Sequence, residues 1–317
     1  MMNTPSSFSF PEQASNLAPG VDWIFYTLTA LCGAMTLLVV ALITLFCVRY
    51  RRGSRASRAN ANPRSLPWEV GWTLLPLPIF LAIFFWAAKT YFRMSRPPKG
   101  AMEINVVAKQ WMWKIQHSDG RREINELHIP VGRAVKLVMI SQDVIHDFYV
   151  PAFRTKQDVL PGRYTTEWFT PTKPGKYHLF CAQYCGLDHA IMGGWIYVMM
   201  PADYAQWLAQ GQPPDSLAAR GERVFYTLGC SGCHAANSKI RAPLLDGIYG
   251  KPAPLSDGTI VTVDDQYLRD SILLPNKQIA AGYEPVMPTF QNRISEEDLT
   301  AVIAYLKSLG SVERNDP

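Results

Sequence analysis

The sequence predicts a multidomain membrane protein: a two-helix transmembrane hairpin, then a β sandwich or barrel, then a small all-α domain. Two long uncharged runs open the chain, short alternating apolar runs broken by Gly and Pro fill its middle, and helical periodicity returns towards the C-terminus. The 317 residues are about twice an ordinary domain, and a chain with 18% charged and 48% hydrophobic residues is neither disordered nor charge-rich and solvated. Much of it must be buried, in protein or in lipid.

The first uncharged run goes from Trp23 to Val48, 26 residues that as a helix would cross a hydrocarbon core. A second run of 19 residues, Val70 to Ala88, is flanked by Glu69 and Lys89, with Trp68, Trp72, Trp86 and Tyr91 where interfacial aromatics belong. Pro76 and Pro78 predict a kink early in this helix. Met1 to Asp22 has no Lys or Arg, so the first run lacks the positive leader of a cleaved signal peptide. Cys32 and Cys47, inside that run, are expected as small apolar packing residues.

A formal net charge of +5 could suggest nucleic acid, but much of the excess sits in one stretch between the apolar runs: Arg49, Arg51, Arg52, Arg55, Arg58 and Arg64. By the positive-inside rule this loop stays cytoplasmic, and everything after Arg93 lies on the outer face. Membrane lipid is the expected surrounding, and no nucleic-acid partner is expected. The expected domains are 1–96 for the N-terminal segment and membrane helices (about 23–48 and 70–91), 97–203 for the β domain, 204–216 for a linker and 217–317 for the helical domain.

From Met102 to Met200 the runs Glu103 to His117, Ala134 to Ser141, Tyr164 to Thr170, Lys176 to Phe180 and Trp195 to Met199 carry strand signals. Six to ten such strands argue for two packed sheets or a barrel, with loops at one end free to hold a site. One stretch here is chemically unusual, since Cys181, Cys185, His189 and Met192 place two thiols, an imidazole and a thioether within twelve residues. A closed zinc site has no use for a thioether, whereas Cys, His and a weak Met form a copper electron-transfer set. A disulfide between Cys181 and Cys185 is the alternative.

Past the Gly211, Gln212, Pro213, Pro214 stretch, Cys230, Ser231, Gly232, Cys233 and His234 form the c-type haem attachment signature. Two thioethers would fix the porphyrin and direct His234 at the iron. From Asp203 onward Met287 is the only methionine and His234 the only histidine, so Met287 is the expected sixth ligand, the pair that raises the potential relative to bis-histidine haem. A last helix is expected to open at Ser295, to present Leu299, Val302, Ile303, Leu306 and Leu309, and to close at Gly310. It would pack across a first helix at Leu217 to Leu228. Acidic and basic residues are mixed through this domain, so no steering patch for a donor is legible.

The pattern from Cys181 to Met192, with Asp143, Val144, Ile145 and His146 upstream and two membrane helices before it, resembles subunit II of the haem-copper cytochrome c oxidases. A cytochrome c domain is fused behind it, and the resemblance runs from about Val21 to Gly310. It implies a cupredoxin-like β sandwich or barrel followed by a class I cytochrome c fold, in a bacterial inner membrane with both domains on the periplasmic face. It also implies a dinuclear CuA centre of two copper ions. Cys181 and Cys185 would bridge, His146 and His189 would each bind one copper, Met192 would be a weak ligand and the Gln183 carbonyl would complete the set. Spacing alone leaves His117, His128 and His178 as further imidazoles, although strand or surface roles suit them better.

Many members of the family carry Glu where this chain has Gln183, and that carboxylate helps to bind magnesium. An amide is a poorer ligand for a hard cation, which argues against a magnesium site here. Trp111 matches the tryptophan proposed to receive electrons, although Trp111 and Trp113 would share one strand face and could equally be core. Glu69 matches the acidic residue at the mouth of a proton path, and an interfacial charge flanking a helix is the other reading.

The implied function is the electron-input subunit of a proton-pumping terminal oxidase. Such a subunit passes electrons from cytochrome c or another reduced carrier through haem c and CuA to a separate subunit I, where oxygen is reduced, with subunit III alongside. This chain lacks the intramembrane histidine cluster that oxygen reduction needs. A membrane-anchored electron carrier and the CuA subunit of a nitric oxide reductase are the alternatives.

Overall fold

The computed structural model describes residues 11–57, 66–209, 216–234 and 242–310. Arg58 and Arg64 of the basic loop, and the expected linker around Gly211 to Pro214, lie outside the described residues. The chain divides into two units, one of residues 16–96 and one of residues 1–15 with 97–317.

The smaller unit is helical: α1 (Ala18–Arg49), α2 (Leu66–Leu74) and α3 (Pro76–Met94). Mean hydropathy reaches 2.6 in α1 and 1.9 across α2 and α3, and the most apolar stretch of each has none of its residues buried. Side chains such as Leu37, Ile43, Phe80 and Phe85 face outward, which suits lipid rather than water as the surrounding medium. Cys32 and Cys47, expected as packing residues, are exposed on α1. The second span breaks at Leu75, whose N–H still reaches the Gly71 carbonyl at 2.9 Å. Leu75 keeps helical dihedrals, φ −67° and ψ −39°, and Pro76 then opens α3 at a first-turn position that proline tolerates.

The larger unit begins with a sandwich of ten strands among the described residues: β1 (Met102–Lys109), β2 (Met112–His117), β3 (Arg122–Ile124), β4 (Glu126–Pro130), β5 (Val135–Ser141), β6 (His146–Val150), β7 (Thr155–Val159), β8 (Thr165–Phe169), β9 (Gly175–Cys181) and β10 (Gly193–Met199). One sheet runs in the order β3-β2-β1-β5-β8 and the other β4-β10-β9-β6-β7. The pairs β1 with β5 and β10 with β4 are parallel and the others antiparallel. Trp113, Ile115, Leu137, Phe148, Phe169, Leu179 and Ile196 fill the space between the sheets, each fully buried. Strand β5 is buried on both faces, because Val138 on its outer side faces the helical domain beside Leu217 and Ile303.

Helix α4 (Pro201–Ala209) follows β10, so the first part of the stretch expected as linker is ordered and packs on the sandwich. Tyr204 is buried, the Trp207 ring stacks on His128 at 4.7 Å, and Arg121 donates to the carbonyls of Trp207 and Leu208. Its apolar and aromatic face, rather than its sequence distance from β10, decides where the linker begins.

The helical domain holds α5 (Leu217–Thr227), α6 (Ser231–His234), a small β11 (Pro252–Pro254) and β12 (Ile260–Thr262) pair, α7 (Asp265–Leu273) and α8 (Glu296–Ser308). Ser295 caps α8 by accepting from the Asp298 N–H at 3.1 Å, and Leu299, Val302, Ile303 and Leu306 form its buried stripe. Helices α5 and α8 cross where Gly221 meets the Ala301 carbonyl, and a Cβ there would come within 1.9 Å of that oxygen. The domain sits on the outer face of the first sheet. Lys114 pairs with Glu297 at 2.6 Å, Lys307 with Glu103 at 2.6 Å, and the Tyr164 N–H donates to Gln266 at 3.0 Å.

Candidate metal centre and haem pocket

Strand β9 ends at Cys181, and the loop that follows it returns through a short turn at His189–Ile191 to Met192 and β10. Gly186, at φ 118°, lets this loop double back. The fold of the loop places Cys181 Sγ 3.8 Å from Cys185 Sγ and 3.3 Å from the Gln183 carbonyl. Cys185 Sγ in turn lies 3.5 Å from His189 Nδ1 and 3.7 Å from Met192 Sδ. The first residue of β6 supplies His146, whose Nδ1 stands 3.9 Å from Cys181 Sγ. All six groups named from the sequence thus meet at one end of the sandwich. Both thiols are free, so the disulfide alternative is not what the loop forms.

This donor set fits soft metal ions. Although burial raises the Cys181 thiol, the His146 imidazole and the main-chain N–H of Asp147 bring it down to about 7. Burial and the adjacent Cys181 sulfur push Cys185 up to about 12. Two sulfurs packed this closely repel each other as anions, and bound cations would relieve that repulsion.

The loops around the cluster fix its ligands. His146 Nε2 lies 2.8 Å from Asp143 Oδ1, and Asp143 also accepts from the N–H groups of Gln110 and Val144. Trp111 lies between β1 and β2, outside both strands, and its indole N–H donates to the Cys185 carbonyl at 3.2 Å, beside the Gln110 amide at 2.9 Å. Trp113 instead is core, edge-on to His146 and Phe148, so the two tryptophans do not share a face. Asp143 and Gln110 were not named from the sequence as supports; a carboxylate three residues before a ligand histidine was the available signal.

None of the other imidazoles joins the cluster. His117 and His128 bracket the buried Glu123 carboxylate at 2.6 and 2.5 Å, and His128 stacks between Tyr197 and Trp207. His178 stacks on Phe180. Glu69 belongs to α2 in the other unit and is exposed. Around the sulfur cluster the rim is apolar and bare: Tyr184, Leu187 and Ile191 are 75%, 92% and 78% exposed.

The second candidate site is a cavity of about 260 Å³ in the helical domain, lined by Cys230, Cys233, His234 and Met287 among others. Its deep wall is mainly apolar, from Phe225, Leu245, Leu268, Phe290 and Val302, with Ser271 among them. His234 Nδ1 lies 2.8 Å from the Pro243 carbonyl, a bond that fixes the ring and leaves Nε2 as a ligand lone pair. A largely apolar slot with two free thiols, an oriented imidazole and a thioether in its lining fits a c-type haem.

The family model for the cytochrome c oxidase subunit II periplasmic domain matches residues 121–198, and that for cytochrome c matches residues 218–310. Cytochrome c oxidase subunit 2 of Thermostichus vulcanus is 31% identical over an alignment spanning 64% of this chain and 78% of the relative. The corresponding subunit of Alkalihalophilus pseudofirmus is 27% identical over 93% of this chain and 90% of its own. Among solved structures, the periplasmic domain of subunit II of the Bradyrhizobium japonicum cytochrome oxidase is 30% identical. It aligns with 36% of this chain and 95% of its own length, with a TM-score of 0.35. With both domain matches, the membrane helices and a relative at this identity in hand, the chain belongs to the cytochrome c oxidase subunit II family, as a membrane-anchored electron-transfer subunit with a cytochrome c domain behind its copper domain.

Proposed function

We propose that the chain is the electron-input subunit of a proton-pumping terminal oxidase, passing electrons from a reduced carrier through haem c and a CuA pair to subunit I. The observation that carries this reading is the convergence of Cys181, Cys185, His146, His189, Met192 and the Gln183 carbonyl within one loop system. When bound, the copper pair and the haem supply one-electron redox chemistry.

The protein's part is to hold and orient. Cys181, Cys185, His146, His189 and Met192 would hold the copper pair together with the Gln183 carbonyl, and Asp143 keeps the His146 ring facing inward. Cys230 and Cys233 would tether the porphyrin between His234 and Met287, and the apolar wall excludes water, which favours the less charged, reduced form. Trp111, bonded to the main chain of a bridging cysteine, is placed to receive electrons for the copper site.

Exposed Tyr184, Leu187 and Ile191 form an apolar rim suited to docking on subunit I, where oxygen would be reduced; subunit III would complete the assembly. Glu69, at the end of a membrane helix, is assigned to the mouth of a proton path. Gln183 offers no carboxylate, so magnesium is not assigned. Isolation of the chain with a multihelical haem subunit, two coppers and one covalent haem per copy, and oxygen turnover exceeding nitric oxide turnover, is the expected result. Isolation alone would identify a carrier instead.

A further inference from the structure

The copper and haem domains meet along a cleft of about 750 Å³ that neither site uses. Four guanidinium groups line it: Arg122 on β3, Arg220 and Arg223 on α5, and Arg293 in the loop before α8. Asp298 is the only carboxylate among the described lining residues, and it is already bonded to Arg220 at 2.5 Å. Arg122 and Arg293 are exposed, and Nη1 of Arg220 is buried without a hydrogen-bond partner among the described residues. The inner wall is apolar, and two of its side chains, Leu228 and Ile294, line the haem cavity on their other side.

We propose that this cleft is the docking surface for an acidic redox protein that delivers electrons to the haem domain. The inference rests on the reading of that domain as the haem-bearing, receiving end. Two features favour an acidic partner over a basic one, and a third favours a protein over a small anion. Like charges drawn from separate elements raise the local potential, and a concave wall focuses it, so an anionic face is steered inward while a cationic one is repelled. Guanidinium groups pair with carboxylates in forked geometry. The apolar floor gives a protein partner surface to bury one side-chain layer from the haem cavity, which a small polyanion would not use. In the transfer itself the donor's centre loses one electron and the haem iron gains it, ferric becoming ferrous, with no bond or proton exchanged. The arginines come from positions 122, 220, 223 and 293, interleaved with acidic residues in the sequence, so only the fold gathers them.

The test uses the purified full-length complex with its haem. Stopped-flow reduction is followed with an acidic c-type cytochrome, a basic one, and ascorbate with a small mediator, alongside binding of the oxidised cytochromes by surface plasmon resonance. With the acidic cytochrome, both the rate constant and the affinity should fall about tenfold between ~0.02 and ~0.2 M salt. They should fall about tenfold again in Arg122→Glu/Arg293→Glu, and by less in Arg122→Gln/Arg293→Gln. Ascorbate reduction and the haem spectrum should not change in either variant. Binding of the acidic cytochrome unaltered by the charge reversal, or a basic cytochrome binding as tightly as the acidic one, would overturn the proposal. A chain whose haem ascorbate cannot reduce would instead refute the haem reading beneath it.

Discussion

His146 Nε2 and Asp143 Oδ1 lie 2.8 Å apart, and this contact leaves His146 Nδ1 facing Cys181 Sγ. Desolvation raises the Asp143 carboxyl, but the Gln110 and Val144 N–H groups and His146 together hold it below the usual carboxylate range, so it stands as an anion behind the ring. Asp143→Asn keeps the shape and removes the charge. Copper retention against a competing chelator should weaken about 10- to 100-fold, while the haem spectrum is unaffected. Equal copper content in the two proteins would mean that the contact does not orient the ligand.

Met287 is the only thioether lining the described haem cavity, whose lining also includes His234, held by the Pro243 carbonyl. Replacing it as Met287→Ala should lower the haem reduction potential, since water or no ligand replaces a sulfur that favours the ferrous state. The haem itself should stay attached through Cys230 and Cys233. Redox titration with denaturing-gel haem staining reads both effects, and an unchanged potential would point to a different axial group.

Glu123 is the hinge between the copper domain and α4, because it holds His117 and His128, and both rings pack on Trp207. Burial alone would raise its carboxyl, yet the bonds from the two imidazoles carry it down to about 2 from the usual 4.5. An acid with a depressed folded value adds stability that is fully present above its unfolded value and lost as pH falls through the folded one. The wild type should therefore lose roughly 3 kcal/mol between pH ~4.5 and ~2. Glu123→Gln should be less stable at neutral pH and lose less than the wild type across that window, as read by urea unfolding of the chain at each pH.

Most of each ligand set was legible because metal chemistry constrains residue types at short range, as in the Cys-x-x-Cys-His run and the twelve residues from Cys181 to Met192, whereas His146 came from the family resemblance and Met287 from being the only methionine past Asp203. The terminal helix was legible for the same reason, its Ser295 cap and its stripe both being local. What escaped was whatever two distant segments make together. Helix α4 read as linker because its partner surface, His128 and Arg121, lies some eighty residues upstream. Trp111 and Trp113 looked like neighbours on a strand, and only the junction between β1 and β2 separates them. Glu167 carries no signal of its own within the run Tyr164 to Thr170, and its burial is a property of the folded sandwich.

That buried carboxyl gives the opposite pH signature to Glu123. Neither oxygen of Glu167 has a hydrogen-bond partner among the described residues. Desolvation, reinforced by the Asp147 carboxyl, pushes it up to about 8. An acid with a raised folded value costs stability as pH rises above its unfolded value, here from about 4.5, until it ionises in place near 8. At pH 7 the penalty is about 3 kcal/mol, of the size expected for burying a carboxyl that would ionise in water. Glu167→Gln, which keeps the volume and removes the titration, should raise the melting temperature at pH 7 and change it little at pH 4. A variant destabilised equally at both pH values would show that the carboxyl makes a bond the amide cannot, and that its burial is compensated.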